Sequence, residues 1–124
     1  MAALFPLLLA GCAEQVPLGS DFVPDYLGAS VSFLSADLVQ VKARMTKAQS
    51  AGDAAEYADC ALAAQMQDRD LRFARVLRTK FALEGGVSSV DAVYTISPSL
   101  PRGIKVIDAK SVNADCAQKR IPTV

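Results

Sequence analysis

The chain is 124 residues long, with 13 Lys and Arg against 13 Asp and Glu, 52% hydrophobic residues, three Cys, and neither His nor Trp. That length builds one domain whose core hides roughly two-thirds of the surface exposed by the unfolded chain, and a formal charge of zero lacks the cationic excess that binding nucleic acid demands. Without His there is no Ser-His-Asp or Cys-His nucleophile and no His-ligated metal, and no residue pattern nominates a cofactor.

Residues 1–11 read Met-Ala-Ala-Leu-Phe-Pro-Leu-Leu-Leu-Ala-Gly, and Cys12 follows. This uncharged run is too short for a membrane-spanning helix, which takes about 20 apolar residues. It suits the apolar region of a secretory signal peptide, which is about 7–15 residues long and closes on small side chains. Leu9-Ala10-Gly11-Cys12 resembles the lipobox of bacterial lipoproteins. The resemblance implies that the Cys12 thiol takes a diacylglyceryl group, that the peptide is cut ahead of it, and that the new amine is acylated. Such chains contribute about 0.8 kcal/mol per buried methylene, enough for a permanent membrane anchor. Ala13, rather than Asp, after the Cys implies sorting to the outer membrane. No Lys or Arg precedes the apolar run, where signal peptides usually carry positive charge. The competing reading is a cytosolic domain in which Leu7–Ala10 begins a buried element and Cys12 is a core thiol. Residues 12–30 carry Pro17, Gly19, Pro24 and Gly28 with no period of 2 or 3.6, which predicts a tether whose Phe22, Val23, Tyr26 and Leu27 dock onto the domain.

The domain is expected over residues 31–124. Val31, Phe33, Val39, Val41, Ala43 and Met45 share the odd phase, which predicts a half-buried strand with a bulge or break near Ser35 and Asp37. Asp53 with Glu56 three positions on reads as a capping box, and the Ala-rich run from Ala54 to Gln67 predicts a helix with Tyr57, Cys60, Ala61 and Ala64 on one stripe. Residues 70–84 fit two templates. Phe73, Leu77 and Phe81 recur at helical spacing, while a strand would put Leu71, Phe73, Leu77, Phe81 and Leu83 on one face. The strand is favoured, because one helix from Asp53 to Glu84 would far exceed the usual three or four turns. Gly85-Gly86 then turns a hairpin into the alternation Val90, Ala92, Tyr94, Ile96. Pro98 to Gly103 reads as a loop and Ile104 to Ala114 as a last strand. The predicted fold class is α+β: about four mainly antiparallel strands covered by one Ala-rich helix, in the order β-α-β-β-β.

With Cys12 given to lipid, Cys60 and Cys116 remain as an even pair in an exported chain, where a structural disulfide is expected. Two separate buried thiols are the alternative for a cytosolic chain, and a redox pair would use Cys-X-X-Cys, which is missing. Candidate acid–base carboxylates are Asp68/Asp70, Asp53/Glu56 and Asp25, each also explained by a cap or turn. Arg69, Arg72, Arg75, Arg78 and Lys80 form a basic cluster suited to anionic headgroups, lipopolysaccharide phosphates or peptidoglycan carboxylates, or else a solvated face with Arg72, Arg78 and Lys80 aligned.

Tyr57-Ala58-Asp59-Cys60, Phe73-Ala74-Arg75, Asp91 to Pro98 and Leu100-Pro101-Arg102-Gly103 resemble small lipoproteins of bacterial envelopes, a likeness that transfers no catalytic residue. The expected function is a periplasmic, lipid-anchored binding or assembly module touching an envelope protein, lipopolysaccharide or peptidoglycan. The alternative is a small cell-wall-directed enzyme or inhibitor using carboxylates.

Overall fold

The computed structural model describes residues 23–103 and 105–123. The signal-peptide and lipid-anchor readings, Cys12 included, lie outside the described residues. Among the described residues the elements are β1 (Asp25–Ser35), β2 (Leu38–Thr46), α1 (Ala51–Gln67), β3 (Phe73–Glu84), β4 (Val87–Ser97), β5 (Val106–Asp108) and α2 (Ala109–Lys119). The strands form one antiparallel sheet in the order β1-β2-β4-β3-β5. The fold class is α+β as expected, with more elements than expected.

Three expectations need correction. The odd-phase apolar run is a hairpin and not one strand. β1 turns through Ala36-Asp37 into β2 with Val31 facing Val41 and Phe33 facing Val39. The sheet also begins at Asp25, inside the stretch read as tether. The segment read as a last strand from Ile104 to Ala114 is instead the short β5 followed by α2. Asp108 ends the strand and caps the helix, its carboxylate accepting from the Lys110 N–H at 3.1 Å.

The strand reading of residues 70–84 agrees with β3, which pairs with β4 across the Gly85-Gly86 turn from Phe73↔Ser97 to Glu84↔Val87. Both glycines have positive φ, +56° and +79°, as a two-residue hairpin turn matched to strand twist requires.

The core lies where α1 meets β2 and β4. Val39, Val41, Ala43 and Met45 from β2 share a face with Val90, Ala92, Tyr94 and Ile96 from β4, and all eight are buried. Alanines at 54, 58, 61 and 63 let the α1 backbone sit close to its neighbours while supplying high helix propensity. Ser50 is the N-cap of α1. Asp53 stands at the third helical position, where its carboxylate accepts from the Gln49 and Ser50 N–H groups at 2.7 and 3.3 Å. The capping box is therefore built by Ser50 and Asp53. Glu56 turns outward instead to meet Lys119 Nζ at 2.6 Å.

The disulfide joins Cys60 of α1 to Cys116 of α2, with Cα atoms 5.9 Å apart. It fastens helix to helix, since residue 116 belongs to α2.

Candidate functional site

Among the described residues, no element packs as a second layer on the face of the sheet turned away from α1. On the central strand β4 the core-side residues Val90, Ala92, Tyr94 and Ile96 are buried, while the alternate residues Ser89, Asp91, Val93 and Thr95 are only half-buried. Cross-strand register brings Lys42 of β2 and Lys80 of β3 to either side of Asp91, with Arg44 opposite Ser89 and Arg78 opposite Val93. Four cations thus surround one carboxylate. Asp91 accepts from Gln40 Nε2 at 3.0 and 3.2 Å and meets Arg78 Nη2 at 3.3 Å. The Gln40 hydrogen bonds, helped by the charges of Arg78 and Lys42, hold its carboxyl below the ordinary carboxylate value. Asp91 therefore stays ionised, bound directly to Gln40 and Arg78 among the cations around it.

The basic cluster read from sequence is only partly brought together. Arg75, Arg78 and Lys80 share the open face, because a register shift between Val76 and Arg78 resets the alternation and puts an odd and an even position on the same side. Arg75 is engaged there, donating from Nη1 to the Arg102 carbonyl at 3.5 Å. Arg72 precedes β3 and pairs with Asp108 at 3.3 Å, and Arg69 stacks its guanidinium 3.6 Å above the Phe33 ring. Lys42 and Arg44, absent from the predicted cluster, complete the patch. Their signal was the polar phase of β2, which alternates Gln40, Lys42, Arg44 between buried residues.

The candidate carboxylates are dispersed. Asp53 caps α1, Glu56 binds Lys119, Asp68 ends α1, Asp70 adopts a left-handed backbone, and Asp25 bridges Lys47 at 3.4 Å. The carboxylate in an unusual setting is Asp59. It sits on α1 between the buried Ala58 and Cys60, and the Tyr94 hydroxyl donates to its Oδ1 at 2.7 Å. It borders a cavity of about 210 Å³ beside Ala55, Val76, Thr79, Lys105 and Ile107. Burial raises the Asp59 pKa, the Tyr94 hydrogen bond opposes the rise, and the Glu56 charge adds to it. Burial and the neighbouring carboxylate push Tyr94 far above the ordinary phenol range. The signal for Asp59 in the sequence was an acid set within the apolar stretch Ala58 to Ala64.

A larger apolar groove of about 830 Å³ opens where the start of α1 faces the β3–β4 turn, lined by Ala48, Ala51 and Ala54 on one side and Phe81, Leu83 and Gly86 on the other.

The family model for the YNQ4 C-terminal domain matches residues 26–120, from the second residue of β1 to the residue that caps α2. The chain belongs to this family. A relative from Paracoccus denitrificans, described as an uncharacterized 26.9 kDa protein in the nqo8 5′ region, is 32% identical over 104 residues. That alignment covers 79% of this chain and 41% of the relative, so the chain spans about two-fifths of the protein it matches. No solved structure matches the chain. The YNQ4 C-terminal domain as folded here comprises the whole sheet, the capped α1 and the disulfide-tied α2.

Proposed function

We propose that this protein is a lipid-anchored component of the bacterial envelope, held through Cys12 on the periplasmic side of the outer membrane, and that it works as a binding or assembly module without catalysis. The observation that carries the binding role is the sheet face that no described element covers, on which Lys42, Arg44, Arg78 and Lys80 gather around the carboxylate of Asp91. Cations grouped on one sheet face around a central carboxylate suit an anionic envelope component, with lipopolysaccharide phosphates first and peptidoglycan carboxylates next. The Leu9-Ala10-Gly11-Cys12 sequence supports the anchor, and the Cys60–Cys116 bond agrees with an oxidising compartment.

Two measurements test the two halves. Intact-mass analysis of the membrane-extracted protein should give a chain that begins at Cys12 and carries acyl groups; an unmodified chain starting at residue 1 refutes the anchor. Binding of purified lipopolysaccharide should weaken steeply between 50 and 500 mM salt and fall several-fold in Lys42→Glu and Lys80→Glu. Salt-independent binding refutes the cationic face.

A second reading, a small cell-wall-directed hydrolase, is favoured by one observation: a half-buried carboxyl with a raised pKa next to a buried phenol beside a cavity. Muropeptide turnover that is abolished in Asp59→Asn would establish it.

A further inference from the structure

Strand β3 has two unequal sides. It pairs with β4 along its whole length, from Phe73 to Glu84, whereas β5 covers only Phe73 to Arg75 on the other side. Among the described residues no strand pairs with the backbone edge from Val76 to Glu84. Helix α1 packs on β1, β2 and β4, and on the core-side face of β3 the side chains of Phe81 and Leu83 remain 49% and 73% exposed. A long open edge that also presents apolar side chains is a template for adding another strand, and proteins ordinarily blunt such edges with charge, proline or bulges. β3 has its bulge at Leu77, but beyond it the strand is regular from Arg78 to the Gly85-Gly86 turn.

That regular segment reads Arg78-Thr79-Lys80-Phe81-Ala82-Leu83-Glu84, basic at its start, acidic at its end and centred on Phe81. It is complementary to itself in the antiparallel sense. A two-fold axis normal to the sheet keeps faces together, so a residue can oppose only one from its own face. The register that uses the whole segment sets Phe81 against its own copy, Arg78 against Glu84 and Thr79 against Leu83, each of the latter twice. Moving two residues toward Val76 sets Lys80 against Lys80, a directly opposed like pair. Moving two residues the other way runs Arg78 and Thr79 into the glycine turn and shortens the ladder.

We propose that this protein forms a two-fold dimer by antiparallel pairing of β3 with β3 of a second copy, centred on Phe81. The two sheets become one, both α1 helices lie on the same side, and the two cationic faces join into a single surface. The pairing does not depend on the lipid anchor.

A photo-cross-linking residue in place of Phe81, in the full-length protein, tests the arrangement. The expected product is a covalent dimer in which position 81 is bonded to residues 79–83 of the second copy. Exchange of charge tests the register. Glu84→Arg and Arg78→Glu should each lower dimerisation roughly tenfold, since each replaces two opposite-charge pairs with two like pairs. The double variant Arg78→Glu/Glu84→Arg should recover most of the loss. Its comparison with Arg78→Glu alone isolates the contact between copies, because both variants lose the internal Asp91 contact equally. Circular dichroism and an intact Cys60–Cys116 bond verify folding of each variant. A monomer at all concentrations, cross-links to another protein or outside β3, or a double variant as weak as the single ones overturns the proposal.

Discussion

Removing the Cys60–Cys116 bond is the sharpest test of how the two helices are held. The sulfurs close a loop across a sequence separation of 56 residues. In the chain-entropy treatment, a loop of that size restricts the unfolded chain by about 4 kcal/mol at 25 °C, against a total of roughly 5–15 kcal/mol for a domain of this kind. The helix α2 depends on the bond more than the sheet does. Of its eleven residues only Ala109 and Cys116 are buried. Beyond the packing of half-buried Val112, its polar ties to α1 among the described residues are Asn113 Nδ2 donating to Ala63 O at 3.0 Å and to Gln67 Oε1 at 3.1 Å, and the exposed Lys119–Glu56 pair. Surface ion pairs contribute little, about 0–1 kcal/mol. The double variant Cys60→Ala/Cys116→Ala should therefore lose about 4 kcal/mol. In urea, with slopes of about 1–3 kcal/mol per molar, the unfolding midpoint falls by roughly 1.3–4 M. Amide exchange should show α2 losing protection well before β2 and β4. A midpoint within about 0.3 M of the parent, with α2 still protected, would refute the reasoning and leave packing alone as the force that docks α2.

Further substitutions probe the core, the half-buried carboxyl and the turn. Tyr94→Phe removes the donor to Asp59 Oδ1 and should cost about 1–3 kcal/mol, read as a lower thermal midpoint. Because burial raises the folded-state pKa of Asp59 above its ordinary 3.8, the native chain binds that proton more tightly than the unfolded one. Its contribution to stability is full below pH 3.8 and is lost as pH rises through the raised folded value, so Asp59→Asn should flatten the stability curve just above pH 3.8; an unchanged curve contradicts this. Gly86→Val places a branched side chain at φ +79° and should cost about 1–2 kcal/mol by chemical denaturation, with Gly85→Asn costing clearly less. Ala61 is fully buried, so Ala61→Leu should destabilise by about 1–3 kcal/mol through overpacking, and a neutral result would mean slack between α1 and its neighbours.

Helix α1 and the β3–β4 hairpin are legible in the residues because local and tertiary preferences agree there. Alanine favours a helix wherever it is buried, and Gly85-Gly86 supplies the positive φ that the turn demands. The β1–β2 hairpin is hidden by parity. Antiparallel partners share a face, and with Phe33 opposite Val39 the odd positions of both arms meet the core, the pattern of one long strand. The Ala36-Asp37 turn carries no glycine, asparagine or proline to mark the reversal. Helix α2 is hidden for a different reason, since its apolar stripe is short, Ala109, Val112 and Cys116, and a covalent bond holds it in place. The basic patch was half legible. Spacing along β3 cannot anticipate the register shift after Val76 that moves Arg75 and Arg78 to one side, nor the arrival of Lys42 and Arg44 from another strand. Asp59 looked like one more polar residue on a helix, and only its contact with Tyr94, 35 positions away, sets it apart.

The disulfide also decides how the molecule bears load. Tension applied between Val23 and Ile121 passes directly from Cys60 to Cys116, so β3, β4 and β5 lie in a closed loop that the pull cannot lengthen. At about 3.4 Å per extended residue, the loop withholds about 190 Å of contour from stretching. Only β1, β2, the first part of α1 and the last residues of α2 can pay out, and the edge strand β1, paired on one side alone, peels away first. For a chain fixed at one end and loaded at the other, the thiol–disulfide balance of its surroundings sets its reach.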